Sequence, residues 1–167
     1  KIPNSELGEV CGETWRITSS FSGDNNFIGS SGINWERSDD VYGGGNISSV
    51  LSESNGSFTF NADYYGWYLV IYQVYNYHTV DSRYNEMSLY VSWNSGANWD
   101  IHGYATSSTS PNTTENYNNC ASGTSMVNAT ANTRLRLGIN NHANSAYIYG
   151  TTDATATGFS IIRIGDN

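Results

Sequence analysis

The side chains able to do acid–base or metal chemistry are few in this chain, and they are scattered. Five acids, Glu53, Asp63, Asp81, Glu86 and Asp100, flank stretches of strand character. Glycoside hydrolysis needs two carboxyls held roughly 5–9.5 Å apart. No local spacing brings two of these together, and acids beside strands are ordinarily solvated turn residues. His78, His102 and His142 occur singly, without a His-x-His or His-x-x-x-His pair to start a metal site. Convergence on the axis of an oligomer would be their one route to a metal, and no motif points to it. No Gly-x-Ser-x-Gly elbow offers a serine nucleophile. Gly43-Gly44-Gly45 precedes no helical pattern, so it is no phosphate cradle. Asp39-Asp40 lacks the spacing of a calcium loop and reads as a polar turn. Cys11 and Cys120 allow one disulfide or two free thiols, and are too few for a zinc site. The expectation is a protein that is not an enzyme and has no catalytic residue, cofactor or metal; its ligand-binding residues stay unassigned.

The aromatic residues are a stronger signal. Tyr64, Tyr65, Tyr72, Tyr75, Tyr77 and Tyr84 crowd one segment. Alternate residues of a strand point to opposite faces, so one face here is core and the other is too aromatic for an ordinary wet face. Such a face suits a subunit interface or a carbohydrate platform, against the plainer reading of core plus scattered surface tyrosines. The interface reading is placed on Tyr68 and Tyr72 or their neighbours.

The elements that must position these groups read as short strands. Candidates are Trp15–Thr18, Trp35–Arg37, Ile47–Leu51, Ser57–Phe60, Met87–Trp93, Trp99–Tyr104, Ser125–Val127, Arg134–Ile139, Tyr147–Tyr149 and Gly158–Ile164. Trp67-Tyr68-Leu69-Val70-Ile71-Tyr72-Gln73-Val74-Tyr75 is apolar nearly throughout, as expected of a strand buried on both faces. The stretches 19–31, 43–46 and 106–121 read as polar loops and are the expected place for a binding site. Residues 1–12 read as a linker or neck, and 13–167 as one domain. The opening Lys1-Ile2-Pro3-Asn4-Ser5-Glu6 lacks the apolar core of a signal peptide and reads as a segment cut from something longer.

Composition limits the function classes. With 167 residues the chain suits a single domain. Aromatics reach 14% while charged residues are only 13%, the reverse of a disordered chain. Long helices need runs of Ala, Leu, Glu and Lys that are missing here. A net charge of −8 with only 7 Lys and Arg disfavours nucleic acid and anionic membrane surfaces. No run of roughly 18 apolar residues is available to span a bilayer as a helix. Four sequons, at Asn46, Asn55, Asn112 and Asn128, are expected by chance in so Asn-, Ser- and Thr-rich a chain.

Three stretches carry a family resemblance. Gly56-Ser57-Phe58-Thr59-Phe60 followed by Gly66-Trp67-Tyr68-Leu69-Val70, then Thr133-Arg134-Leu135-Arg136-Leu137, then Gly158-Phe159-Ser160-Ile161-Ile162-Arg163-Ile164 resemble the jelly roll shared by the complement globular head and tumour necrosis factor. Trp35-Glu36-Arg37-Ser38-Asp39-Asp40, the ending Phe159–Asp166 and the opening Lys1–Asn4 resemble versions found in structural proteins of marine and cyanobacterial phages. The resemblance covers roughly residues 13–167. It implies an all-β jelly-roll sandwich of about ten short antiparallel strands, assembled as a trimer whose aromatic faces pack about a threefold axis, with no catalytic set. Ser92-Trp93-Asn94-Ser95-Gly96-Ala97-Asn98-Trp99 separately resembles the Asp box of sialidases, with Asn94 in the Asp place. One copy in so short a chain makes it a turn element and not a propeller blade. The expected role is a non-catalytic virion domain (fibre, knob or capsid decoration) at the particle surface. Its expected partners are its own copies, other virion proteins and host surface glycans. The alternatives are a monomeric carbohydrate-binding module of a secreted enzyme and, third, a glycan hydrolase or lyase.

Overall fold

A computed structural model describes residues 11–22, 27–29, 32–38, 49–78, 85–107, 117–140 and 146–166. The strands among them are β1 (Gly12–Ile17), β2 (Phe21–Ser22), β3 (Trp35–Arg37), β4 (Leu51–Ser54), β5 (Ser57–Phe60), β6 (Gly66–His78), β7 (Asn85–Ser92), β8 (Asp100–Ser107), β9 (Tyr117–Ala129), β10 (Arg134–Asn140), β11 (Ala146–Ile148) and β12 (Gly158–Gly165). A single 3-10 turn, Ala62–Tyr64, leads into β6. The strands form a seven-stranded sheet ordered β2-β11-β6-β12-β1-β3, with β9 also paired to β6, and a five-stranded sheet ordered β4-β5-β10-β7-β8. All pairings are antiparallel. The jelly-roll sandwich expected from the sequence is the observed architecture.

Local chemistry sets the hairpins. Ser54 pairs with Ser57 across Asn55-Gly56, whose φ values of 51° and 74° are both positive. A two-residue turn of that hand matches the twist of its flanking strands, and Asn-Gly is the pair that adopts it most readily. The Glu53 carboxylate accepts from the Gly56 N–H at 2.6 Å and closes the turn.

The core lies between the sheets. Trp15, Trp35, Phe58 and Phe159 meet edge to face, with centroids 4.7–5.8 Å apart. That geometry adds about 0.5–1.5 kcal/mol per pair beyond area burial. Leu135, Leu137 and Ile139 of β10 and Met87, Leu89 and Val91 of β7 fill the opposing layer, each essentially buried. Glu13 is buried among them and ties the sheets together. Its carboxylate accepts from Trp15 Nε1 (2.8 Å), Leu51 N (2.7 Å) and Val50 N (3.1 Å), and Arg37 Nε lies 3.3 Å away. Burial raises its pKa, while these donors pull the other way.

Several boundaries differ from the sequence reading. Cys11 is fully buried and Gly12 opens β1, so both residues belong to the packed part. Among the described residues the fourth strand is Leu51–Ser54, and residues 47–48 of the expected Ile47–Leu51 strand lie outside them. Residues 106–107 and 117–121, read as loop, are the ends of β8 and β9. Their Asn-, Ser- and Thr-rich sequences hide them, because outward-facing positions need no apolar residue and pairing is made by backbone. Residues 43–46, Asp39-Asp40, Asp81, Tyr84, His142, Asn46 and Asn112 lie outside the described residues.

Candidate functional site

β6 is the strand from which the site is built. Its even residues Tyr68, Val70, Tyr72 and Val74 are buried, while Trp67 and Ile71 are 40% and 38% exposed. The strand therefore has one dry and one outward face within the protomer, which corrects the expectation of burial on both. It also corrects the assignment of Tyr68 and Tyr72 to an intersubunit surface. Tyr68 donates to the Tyr64 carbonyl at 2.6 Å, and its hydroxyl lies 3.5 Å from Cys11 Sγ. Tyr72 lies on Gly123, where a Cβ would come within 2.4–2.6 Å of the ring. Burial pushes the phenol pKa of both upward. The outward face belongs to their neighbours.

That face runs across three strands. Leu69 stands opposite Met126 of β9 and Ile162 of β12, and Ile71 stands opposite Thr124 and Ser160. Residues opposite each other across a ladder share a face. Met126 is 53% and Ile164 51% exposed. Wide exposure of contiguous apolar side chains on a folded domain marks a place where something else packs. A second set of exposed apolar side chains, Ile101 and Tyr104 of β8 and Trp93, lies at the last strand of the other sheet. His102 joins it, with Nε2 2.7 Å from the Met126 carbonyl and its ring edge-on to Trp93 at 5.9 Å.

Further along β6 the outward face ends in tyrosines. Tyr75 and Tyr149 meet edge to face at 5.7 Å. With Tyr147, Asn118, Ser20 and Ala156 they line an open cleft of about 640 Å³. Sequence reasoning did not single out Tyr147 or Tyr149 as site residues. The Tyr-x-Tyr spacing was a signal, since it puts both rings on one side of a strand.

Among the described residues the candidate chemical groups are not brought together. Glu53 closes its hairpin, Glu86 accepts from Ser88 Oγ at 3.0 Å, and Asp63 and Asp100 are exposed on separate elements. His78 ends β6 and its side chain lies outside the described residues. Cys11 is buried and Cys120 exposed, and both are free thiols. Among the described residues no group of three His, Cys, Asp or Glu could hold a metal ion. Asn55 takes the first turn position of its hairpin and Asn128 lies on β9. The Ser92–Trp99 segment is a structural turn. Asn94 Oδ1 accepts from Ser92 Oγ and Asn98 N, both at 2.9 Å, and Ser92 Oγ accepts from Gly96 N at 2.8 Å. Arg136, whose pKa burial lowers, packs its guanidinium 4.4 Å from the Trp99 ring and 4.6 Å from Phe27.

The two-sheet jelly roll has the fold of tumour-necrosis-factor-like domains. Eiger TNF from S. frugiperda superposes with a TM-score of 0.67 at 12% identity, over 95% of this chain and 94% of that one. Murine APRIL (crystallised at pH 8.5) superposes with a TM-score of 0.60 at 13% identity, over 93% of this chain and 100% of that one. No protein-family model matches the sequence. No curated protein matches it in sequence. The likeness is one of fold.

Proposed function

We propose that this chain is a non-catalytic assembly and attachment domain of a virus particle, a fibre, knob or decoration at the virion surface. Three copies associate through the outward face of the seven-stranded sheet, and the particle-exposed loops and clefts attach to host surface glycans. The observation that carries this reading is the apolar face formed by Trp67, Leu69, Ile71, Met126, Ile162 and Ile164. Its exposure in a single protomer would be costly if nothing covered it. The second apolar group belongs to the other sheet, on β8, and differs in its residues from the first. Pairing unlike surfaces is heterologous and must close into a ring to be finite, which suits a cyclic trimer better than a twofold dimer. The viral placement rests on the resemblance of Trp35–Asp40 and of the final strand to phage structural proteins.

Light scattering on a sizing column tests the assembly. The chain has a mass of 18.3 kDa, and a stable particle of three times that mass is expected. A clean monomer at micromolar concentration would overturn the trimer. It would bring forward the second reading, a monomeric carbohydrate-binding module, which the exposed tyrosine cleft favours.

A further inference from the structure

We propose that the cleft formed by Tyr75, Asn118, Tyr147 and Tyr149, with Ser20 and Ala156, is a binding subsite for a neutral hexopyranose glycan. This rests on the attachment reading above and gives it a place and a ligand class.

Shape and chemistry carry the assignment. The cleft volume of about 640 Å³ falls in the range of small-ligand sites, which are mostly apolar with a few polar groups that orient the ligand. A pyranose has an apolar C–H face and a hydroxyl rim. Tyrosine matches both, with an apolar ring and a polar tip. Tyr147 and Tyr149 are 48% and 45% exposed, so their rings are open to a ligand. The Asn118 amide can both donate and accept at the rim. None of the described lining residues is charged, and the chain carries −8 overall. A sialylated or uronic sugar would find no cation among the described lining residues and would meet an unfavourable overall field.

The walls are also held in place before any ligand arrives. Tyr149 N donates to the Tyr75 carbonyl at 2.9 Å, and Thr151 N donates to the Ile17 carbonyl at 3.1 Å. Gly150 N donates to Ser20 Oγ at 3.1 Å. On the other wall, Gln73 Nε2 donates to the Thr155 carbonyl at 2.5 Å and Tyr75 N donates to Thr157 Oγ1 at 3.1 Å. A wall fixed by the backbone loses little entropy on binding.

The test is saturation-transfer NMR on the intact chain with maltotriose, cellotriose and triacetylchitotriose, with sialyllactose as the charged comparison. Transfer to ring C–H protons of at least one neutral trisaccharide is expected, with sialyllactose clearly weaker. Tyr147→Ala with Tyr149→Ala should weaken binding by about tenfold or more, the loss of one good contact. Tyr149→Phe, which keeps the ring, should weaken it far less. Should the double variant misfold by its amide spectrum, Asn118→Leu replaces it and the same loss is expected. No transfer from any neutral sugar at millimolar concentration, equal transfer to sialyllactose, or transfer indifferent to the variants would overturn the site. So would a change of particle mass in the tyrosine variants, because the cleft would then belong to the self-contact. A single-chain mass with sugar binding intact would defeat the trimer and leave the site standing. A trimer that binds no sugar would do the reverse.

Discussion

The two faces of β6 are built from nearly the same residue types and do opposite things. Tyr68, Val70, Tyr72 and Val74 close the sandwich, while Trp67, Leu69 and Ile71 point away from it. Hydrophobicity therefore does not distinguish core from contact surface on this strand. What separates them is what lies opposite. The inner residues meet Phe60 of β5 and lie over small positions, Gly103 of β8 and Gly123 of β9, that admit a ring. The outer residues face solvent until another surface arrives. On the proposed reading, a strand that is apolar on both sides serves two burials, one made by folding and one by assembly.

Substitutions on the two faces should separate those burials. The largest effect on folding is expected from Tyr72→Ala, which empties a fully packed site and should destabilise the protomer by about 3–5 kcal/mol. Urea unfolding at a fixed protein concentration measures it. If Tyr72→Ala left stability unchanged while lowering particle mass, the inner and outer assignments would be reversed. Gly123→Ala puts a methyl against the Tyr72 ring and should cost about 1–3 kcal/mol by overpacking, read from the shift in denaturation midpoint. On the outer face, Ile71→Asp should change protomer stability by no more than about 0.5 kcal/mol, as surface substitutions usually do. In light scattering it should nonetheless reduce the particle from three times 18.3 kDa to one. Retention of the full mass would place the contact elsewhere.

The smallest effect is a pH slope from the inner side. Burial raises the Glu13 pKa above its ordinary value of 4.5, so the folded state holds this proton at a pH where the unfolded state has released it. The stability tied to that proton is fully present below pH 4.5 and is lost as pH rises through the folded-state pKa. Glu13→Gln should flatten stability against pH just above 4.5, at the cost of a weaker hold on the Val50 and Leu51 amides. A slope unchanged in the variant would locate the titration on another group.

Much of the fold was legible because it is local. Alternation in Ser57–Phe60, Met87–Trp93 and Arg134–Ile139 marks strands directly. The Ser92–Trp99 turn could be read from Asn94 and Gly96, since the hydrogen bonds of Ser92 and Asn94 lie within the segment. The ends of β8 and β9 escaped because Asn, Ser and Thr pair through their backbones as well as any residue, leaving no periodic trace. The Asn55-Gly56 turn was not singled out from the sequence, although its Asn-Gly pair is a local signal and both residues take positive φ values.

The sequence by itself determined an all-β chain with few charges, no clustered catalytic groups and an excess of aromatic residues over what one core needs. Which of those aromatics are core was decided only by tertiary structure. Strand periodicity fixes that neighbours point opposite ways, but not which side the second sheet lies on, so Tyr72 and Ile71 exchange roles with a single step of parity. The tyrosine cleft has the same origin. Tyr75 and Tyr149 are far apart in the chain and meet because β11 pairs with β6, a contact that only the closed sandwich supplies.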